Sequence, residues 1–304
     1  MYHLVLGAGP VGRQTAQILA GNGERVVLAS RSGAGPTLAG VERRALDAGD
    51  ATVVTEAATG AVALYNCLNP VHYHRWDTEW PPLANAALAA AERSGAVLVT
   101  TSNLYAYGRP SGPMVEGQPD AATDVKGRVR AEMWAAALAA HQAGRVRAVE
   151  VRAADYLGPG VGGGGVVTRL VPTLATGGKA TSIGDLDQPR TWTDVRDVAR
   201  TLVAAATNPD AHGRVWHVPS NDVRTQRQVL TELAAQVGNN APSLGAYSPT
   251  TMAILGLFIP VLREMRAIEW QFNAPWIMDS TAAQRAFGLA PTPWKDVVRE
   301  SALA

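Results

Sequence analysis

Gly7-Ala8-Gly9-Pro10-Val11-Gly12 is the stretch whose residue types and spacing point most directly to chemistry. An apolar run, HLVL at 3–6, precedes it, and a segment with helical patterning follows. In such a turn the first glycine permits a tight bend and the second lets backbone approach a pyrophosphate. The third lets the helix pack closely on the strand, and the helix N-terminus offers N–H donors and a partial positive charge. A turn of this kind that binds nothing is the competing reading. The strand before, the helix after and a second strand about 20 residues on favour a dinucleotide. Gly7, Gly9, Pro10, Val11 and Gly12 are therefore candidate cofactor-binding residues.

The second strand ends in Ala29-Ser30-Arg31-Ser32, without the Asp or Glu that accepts hydrogen bonds from ribose hydroxyls. Arg31 between two serines offers a fork of donors suited to a 2′-phosphate. NADP is the expected cofactor, with Ser30 and Arg31 at its adenine ribose, and NAD stays open. Arg13, just after the third glycine, either adds positive potential or is a surface residue. Other chemistries find little support. His72 and His74 have no Asp/Glu pair at helical spacing beside them, so no metal site is expected. The single cysteine, Cys67, excludes a disulfide framework and a Cys-based zinc cluster. There is no G-x-S-x-G elbow and no Walker lysine motif.

The elements that must position these residues alternate. Strands are expected over 3–6, 25–29, 41–46, 62–66, 97–100 and 146–151, and helices over 10–20, 82–93 and 126–142. His72 to Trp80 reads as a polar–aromatic loop. Such alternation signals βαβ units and a parallel sheet covered on both faces. From residue 153 the rhythm changes. Gly158 to Gly165 (GPGVGGGG) reads as a loop over a site, followed by helices over 193–207 and 225–237 and a strand over 214–218. The expected fold is α/β: a Rossmann doubly wound parallel sheet with a small, partly interleaved C-terminal substrate lobe. Residues 1–155 form the dinucleotide-binding domain, to which 190–220 return, and 156–189 with 221–304 form the lobe.

The composition agrees. At 304 residues, the chain has one or two domains at about 150 residues each. It is 47% hydrophobic and 17% charged, which excludes disorder. Lys plus Arg number 27 and Asp plus Glu 26, so neither nucleic acid nor a membrane surface is an expected partner. Strand-like residues begin at Tyr2 with no basic or apolar leader, and Met252 to Leu262 is too short to span a bilayer and contains Pro260. Met252 to Met265 reads as an apolar helical stretch covering the substrate pocket or another subunit. A cytoplasmic protein is expected.

Further segments carry a resemblance. Leu46-Asp47, Asn66 to Asn69, Ser102 to Gly108 (SNLYAYG), Arg152 to Pro159 (RAADYLGP) and Trp192 to Ala199 (WTDVRDVA) stand in chain order behind the glycine turn. Together they resemble the extended short-chain dehydrogenase/reductase superfamily, in its NAD-dependent epimerase/dehydratase branch, over nearly the whole length. The resemblance implies cofactor contacts from Asp47, Asn66, Leu68, Asn69 and Tyr156, and a helix containing Asp197 shared by both lobes. For the 72–80 loop it implies the border of the cofactor or a homodimer contact.

In that family a Tyr, a Lys four residues later and a Ser or Thr carry the proton chemistry. Here those positions hold Lys126, Arg130 and Asn103. Three readings follow. In the first, hydride transfer to a carbonyl or alcohol substrate proceeds with a relocated acid. Tyr105 is the candidate, its pKa lowered beside Lys126, with Ser102 adjacent, Asn103 orienting the carbonyl and Arg130 on the ribose. In the second, Lys126 itself acts. In the third, the protein is a non-catalytic NADP-binding sensor. A solvated helix face is the competing reading for Lys126 and Arg130, and packing for Tyr107. The aromatic and apolar residues near the C-terminus (Tyr247, Phe258, Trp270, Phe272, Trp276) suggest an apolar small-molecule substrate.

Overall fold

The computed structural model describes residues 1–248 and 268–303; the apolar stretch Met252 to Met265, with Phe258, lies outside them. Short runs of Val, Leu and Ala form β1 (Tyr2–Leu6), β2 (Val26–Ser30), β3 (Val41–Ala45), β4 (Ala61–Asn66), β5 (Val97–Asn103) and β6 (Arg147–Ala153). With β11 (Val215–His217) they make one seven-stranded sheet, ordered β11-β6-β5-β4-β1-β2-β3. Every pairing in it is parallel. Apolar residues on both sides of each inner strand reflect helices on both faces. The strand order reverses between β1 and β4, which places a crevice at their carboxyl ends.

One face is covered by α1 (Pro10–Gly21) and α6 (Val195–Thr207), where Val11, Ala16, Leu19, Val198 and Leu202 pack on Val5, Leu28, Val99 and Val151. The other is covered by α2 (Ala51–Ala58), α3 (Trp76–Ser94) and α4 (Val125–Gln142). Ala86, Ala87, Ala90 and Ala91 bring α3 close to Leu64 and Leu98. Short polar side chains start several helices: Asp50 caps α2, Asp124 caps α4 and Asp194 caps α6.

Among the described residues, three small pairs lie beyond the sheet. β7 (Asp155–Leu157) runs parallel to β10 (Trp192–Asp194). β8 (Ala180–Ser182) runs parallel to β13 (Leu244–Ala246), and β9 (Pro189–Arg190) runs antiparallel to β12 (Arg224–Thr225). A separate apolar cluster joins the short α5 (Val171–Ala175), α7 (Gln226–Gln236) and α9 (Trp294–Ala302), while Ala283 and Phe287 of α8 (Thr281–Phe287) pack on the first cluster. Asp197 of α6 is buried and accepts from Thr292 N at 2.8 Å and Thr292 Oγ1 at 2.6 Å. That ties α6 to the segment before α9.

Two expectations about elements are corrected. The 72–80 stretch is a 3-10 turn (Tyr73–Arg75) running into α3, which begins at Trp76 rather than Pro82. Pro81 and Pro82 remain inside this helix, although proline forfeits an intrahelical hydrogen bond there. Burial of Trp76 and Trp80 on α3 opposes that cost. Helix α2 was not expected between strands three and four. Its start rests on Asp50, whose side chain accepts from Thr52 N and Val53 N.

Candidate dinucleotide and active site

The three glycines of the first turn occupy different environments. At Gly7 (φ +101°) a Cβ would stand 2.5 Å from Cys67 O, and at Gly12 it would stand 1.8 Å from Gly7 O. Both positions therefore exclude side chains to keep β1, α1 and the chain after β4 in contact. Gly9 has nothing within 4 Å of a Cβ and is solvent-exposed. It is also the N-cap of α1, with no side chain in the cap and Pro10 at the first turn. A backbone cradle thus opens at a helix N-terminus, the arrangement that fits a diphosphate.

The other candidate cofactor residues follow the carboxyl ends of neighbouring strands. Ser30 ends β2, and Arg31 beyond it is exposed. Ser32 Oγ accepts from Ala34 N at 3.2 Å. Asp47 follows β3, exposed, its Oδ1 accepting from Gly49 N at 2.9 Å. Asn66 is buried at the end of β4 and accepts from Leu68 N, with Leu68 half-buried and Asn69 exposed.

Around the end of β5 a second cluster forms. Asn103 Oδ1 accepts from Tyr105 N at 3.1 Å, capping the 3-10 turn Leu104–Tyr107. Gly127 of α4 packs on this turn so closely that a Cβ would lie 2.5 Å from Tyr105 O. That contact buries the first turns of α4. Lys126 and Arg130 are 3% and 5% exposed, while Arg128 between them faces solvent. The solvated-face reading of Lys126 and Arg130 is therefore excluded. Lys126 Nζ lies 4.6 Å from the centroid of Tyr73. The Arg130 guanidinium lies 4.1 Å from the Trp80 centroid and 5.0 Å from that of Trp76.

Buried donors without partners concentrate here. Arg130 Nε and Nη1, Trp76 Nε1, Trp80 Nε1 and Ser102 Oγ have no hydrogen-bond partner among the described residues. Such orphans in native structures call for an absent ligand or water, and the hydroxyls of a nicotinamide ribose fit the Arg130 donors. Burial draws the Arg130 pKa down to about 10, opposed chiefly by Glu150. Tyr156 on β7 is half-buried, its pKa raised by burial and drawn back by the charge of Arg130.

Tyr73 Oη donates to Tyr105 Oη at 3.2 Å. That bond, and after it the side chain of Gln271, favours ionisation of the Tyr105 phenol. Even so, burial dominates and holds Tyr105 above the usual tyrosine range, and it does the same to Tyr73. The expectation of a lowered tyrosine pKa beside Lys126 is thus overturned, since loss of hydration at the phenols outweighs nearby favourable contacts. Tyr107 is a packed residue: 2% exposed, its hydroxyl meets His217 Nε2 at 2.7 Å and its ring carries the Arg152 guanidinium at 4.4 Å. Arg152 in turn holds Asp120 and the buried Glu150.

Two site residues escaped the sequence reading. Tyr73 was passed over inside the His72–His74 pair, although Tyr73, Trp76 and Trp80 stand at helical spacing. His72 itself pairs with Glu79 at 2.6 Å. Gln271 arrives from the far end of the chain and carries no motif. Among the described residues no three His, Cys, Asp or Glu side chains group as a metal site would require, and no helix is long and apolar enough to cross a membrane.

Comparisons with known proteins bear on this arrangement. The model of the NAD dependent epimerase/dehydratase family matches residues 3–218. Solved structures match in fold. MoeE5 in complex with UDP-glucose and NAD is 18% identical, with a TM-score of 0.79, 100% of this chain covered and 98% of that one. The UDP-N-acetylglucosamine 4-epimerase of Bacillus cereus is 14% identical, with a TM-score of 0.78 and coverages of 100% and 96%. A double mutant of DesIV, a dTDP-glucose 4,6-dehydratase of Streptomyces venezuelae with NAD and DAU bound, is 19% identical, with a TM-score of 0.78 and coverages of 98% and 96%. No curated protein matches in sequence. The matched residues 3–218 contain both the glycine turn and the parallel sheet, and the chain belongs to the NAD dependent epimerase/dehydratase family.

Proposed function

We propose that this protein is an NADP-preferring oxidoreductase of epimerase/dehydratase type, exchanging hydride with a carbonyl or alcohol carbon of a small apolar substrate. The observation that carries the reading is the cradle at Gly9, open where its two partner glycines are packed shut. The orphaned donors of Arg130 support it at the other end of the cofactor. When bound, the nicotinamide supplies or accepts the hydride.

The chain's own residues hold the rest. The amides at the start of α1 take the diphosphate, and Arg31 with Ser30 takes the adenine-ribose phosphate. Arg130 holds the nicotinamide ribose. An arginine keeps its proton, so it fixes hydroxyls without relaying protons. The Tyr73–Tyr105 pair supplies the acid. Because Tyr73 donates to Tyr105, the Tyr105 proton is left to face a substrate oxygen, and Tyr73 with Gln271 steadies the phenolate formed on donation. The apolar substrate is argued from Ile183, Ile268 and Phe272, which pack beside Tyr73 and Tyr105. The buried Arg190 also fits this reading, since Asp155 engages it at 2.6 Å.

A second reading, a non-catalytic NADP sensor, draws on the burial that holds both phenols above the usual tyrosine range and on the loss of the family's Tyr and Lys at 126 and 130. Titration with NADPH and NADH, followed by a panel of apolar aldehydes and ketones at the nicotinamide absorbance, separates the two. Tight binding with no consumption favours the sensor. Arg31→Ala should weaken NADPH about tenfold or more, the loss of a charge-assisted contact, and leave NADH nearly unchanged. An equal loss with both defeats the NADP preference.

A further inference from the structure

Arg13 lies on the first turns of α1, four residues beyond the open glycine of the cradle. It is half-buried, yet no carboxylate or carbonyl engages its guanidinium among the described residues. Its guanidinium rests against Gly160. A Cβ on Gly160 would stand 2.8 Å from Arg13 Nη2 and 3.7 Å from its Cζ. Gly160 has φ +76°, and the preceding Gly158 packs on the Asp194 carboxylate. Val161 of the same loop is buried in the cluster that contains Val11 of α1. The glycine-rich loop after β7 is therefore docked beside the N-terminal end of α1, and Arg13 lies between loop and helix.

We infer that Arg13 is a diphosphate-binding residue, its guanidinium seated on Gly160 so that one cation joins the cradle to the loop after β7. This rests on the dinucleotide reading above and adds a side-chain charge to a cradle otherwise made of backbone amides. A guanidinium without a counter-charge, partly withdrawn from water, gains most from an anion that supplies two oxygens. A diphosphate does so. Gly160 is part of the device, because any side chain there displaces the guanidinium and strains the backbone.

Calorimetry with the full-length protein tests this. Titrants are ADP-ribose, which carries the diphosphate, and 2′-AMP, which lacks it. Arg13→Gln should weaken ADP-ribose about tenfold or more, as loss of a charged hydrogen bond implies, and reduce the salt dependence of binding. Affinity for 2′-AMP should be unchanged. Gly160→Ala should weaken ADP-ribose in the same direction, and Arg25→Gln, an exposed arginine before β2, should have no effect. Unfolding temperatures without ligand identify any variant that fails by misfolding, and Arg13→Lys, which keeps the charge, then serves in its place and should recover part of the affinity. Unaltered ADP-ribose affinity in folded Arg13→Gln overturns the role of Arg13 while the dinucleotide reading stands. No binding of either titrant to the unaltered protein removes both.

Discussion

At the scale of single residues, the proposed function carries the proton chemistry on Tyr73 and Tyr105 rather than on the family's positions. Lys126 and Arg130 stand where the family's resemblance places a Tyr and a Lys, and both are buried against aromatic rings. The phenol pair at Tyr73 and Tyr105 occupies the ground beside them. Burial raises both phenols, so the acid form persists through neutral and mildly alkaline pH. The reduction rate should therefore be flat from about pH 6 to 9. A falling limb centred near 7 would show a lowered tyrosine instead. Tyr105→Phe should cut turnover about 100-fold or more, the usual worth of a positioned acid, with NADPH affinity retained. Full turnover in that variant assigns the proton elsewhere. Tyr73→Phe should have a smaller effect, since it removes only the bond that steadies Tyr105.

At the scale of elements, the glycine turn makes the sharpest prediction about stability. Gly12→Ala puts a methyl group against the backbone oxygen of Gly7, and overpacking of that kind costs about 3 kcal/mol or more when backbone must yield. A fall in unfolding temperature of several degrees is expected, and an unchanged value would contradict the packing described. Most strands and long helices were legible in the sequence, because Val- and Leu-rich runs and alanine-rich helices state their period plainly. The glycine turn was legible for the same reason: three positions with fixed spacing carry its geometry. The start of α3 was not, because Pro81-Pro82 reads as a break while tertiary burial of Trp76 and Trp80 overrides it. The ionisation of Tyr105 was illegible too, since burial depends on Tyr73 and Gln271 brought in from distant segments.

At the scale of the whole molecule, His217 joins three parts of the chain. Its Nδ1 meets the Asp279 carbonyl at 2.6 Å, so that nitrogen carries the hydrogen and Nε2 accepts from Tyr107. Burial lowers its pKa to about 4. Between about pH 6.5 and 4 the unfolded chain takes up a proton that the folded protein refuses. This contribution is complete above pH 6.5 and is lost as pH falls towards 4, up to about 3 kcal/mol. Raised carboxyls, among them Glu116, Glu150 and Asp197, act with the opposite sign, so the comparison is with His217→Gln. That variant should start less stable at neutral pH and lose less on acidification. Parallel acid limbs in urea unfolding would contradict the assignment.

In the proposed function a dinucleotide is held at the open glycine. Gly9→Val places a side chain into empty space, at an ordinary φ of −72°, so the fold should lose only about 1 kcal/mol to a poorer N-cap while the diphosphate loses its approach. Isothermal calorimetry of the unaltered protein and of Gly9→Val with NADPH is the most direct measurement. A clear binding heat in the first and its loss in the second is the predicted result. Equal heats in both, or none in the unaltered protein, would contradict it.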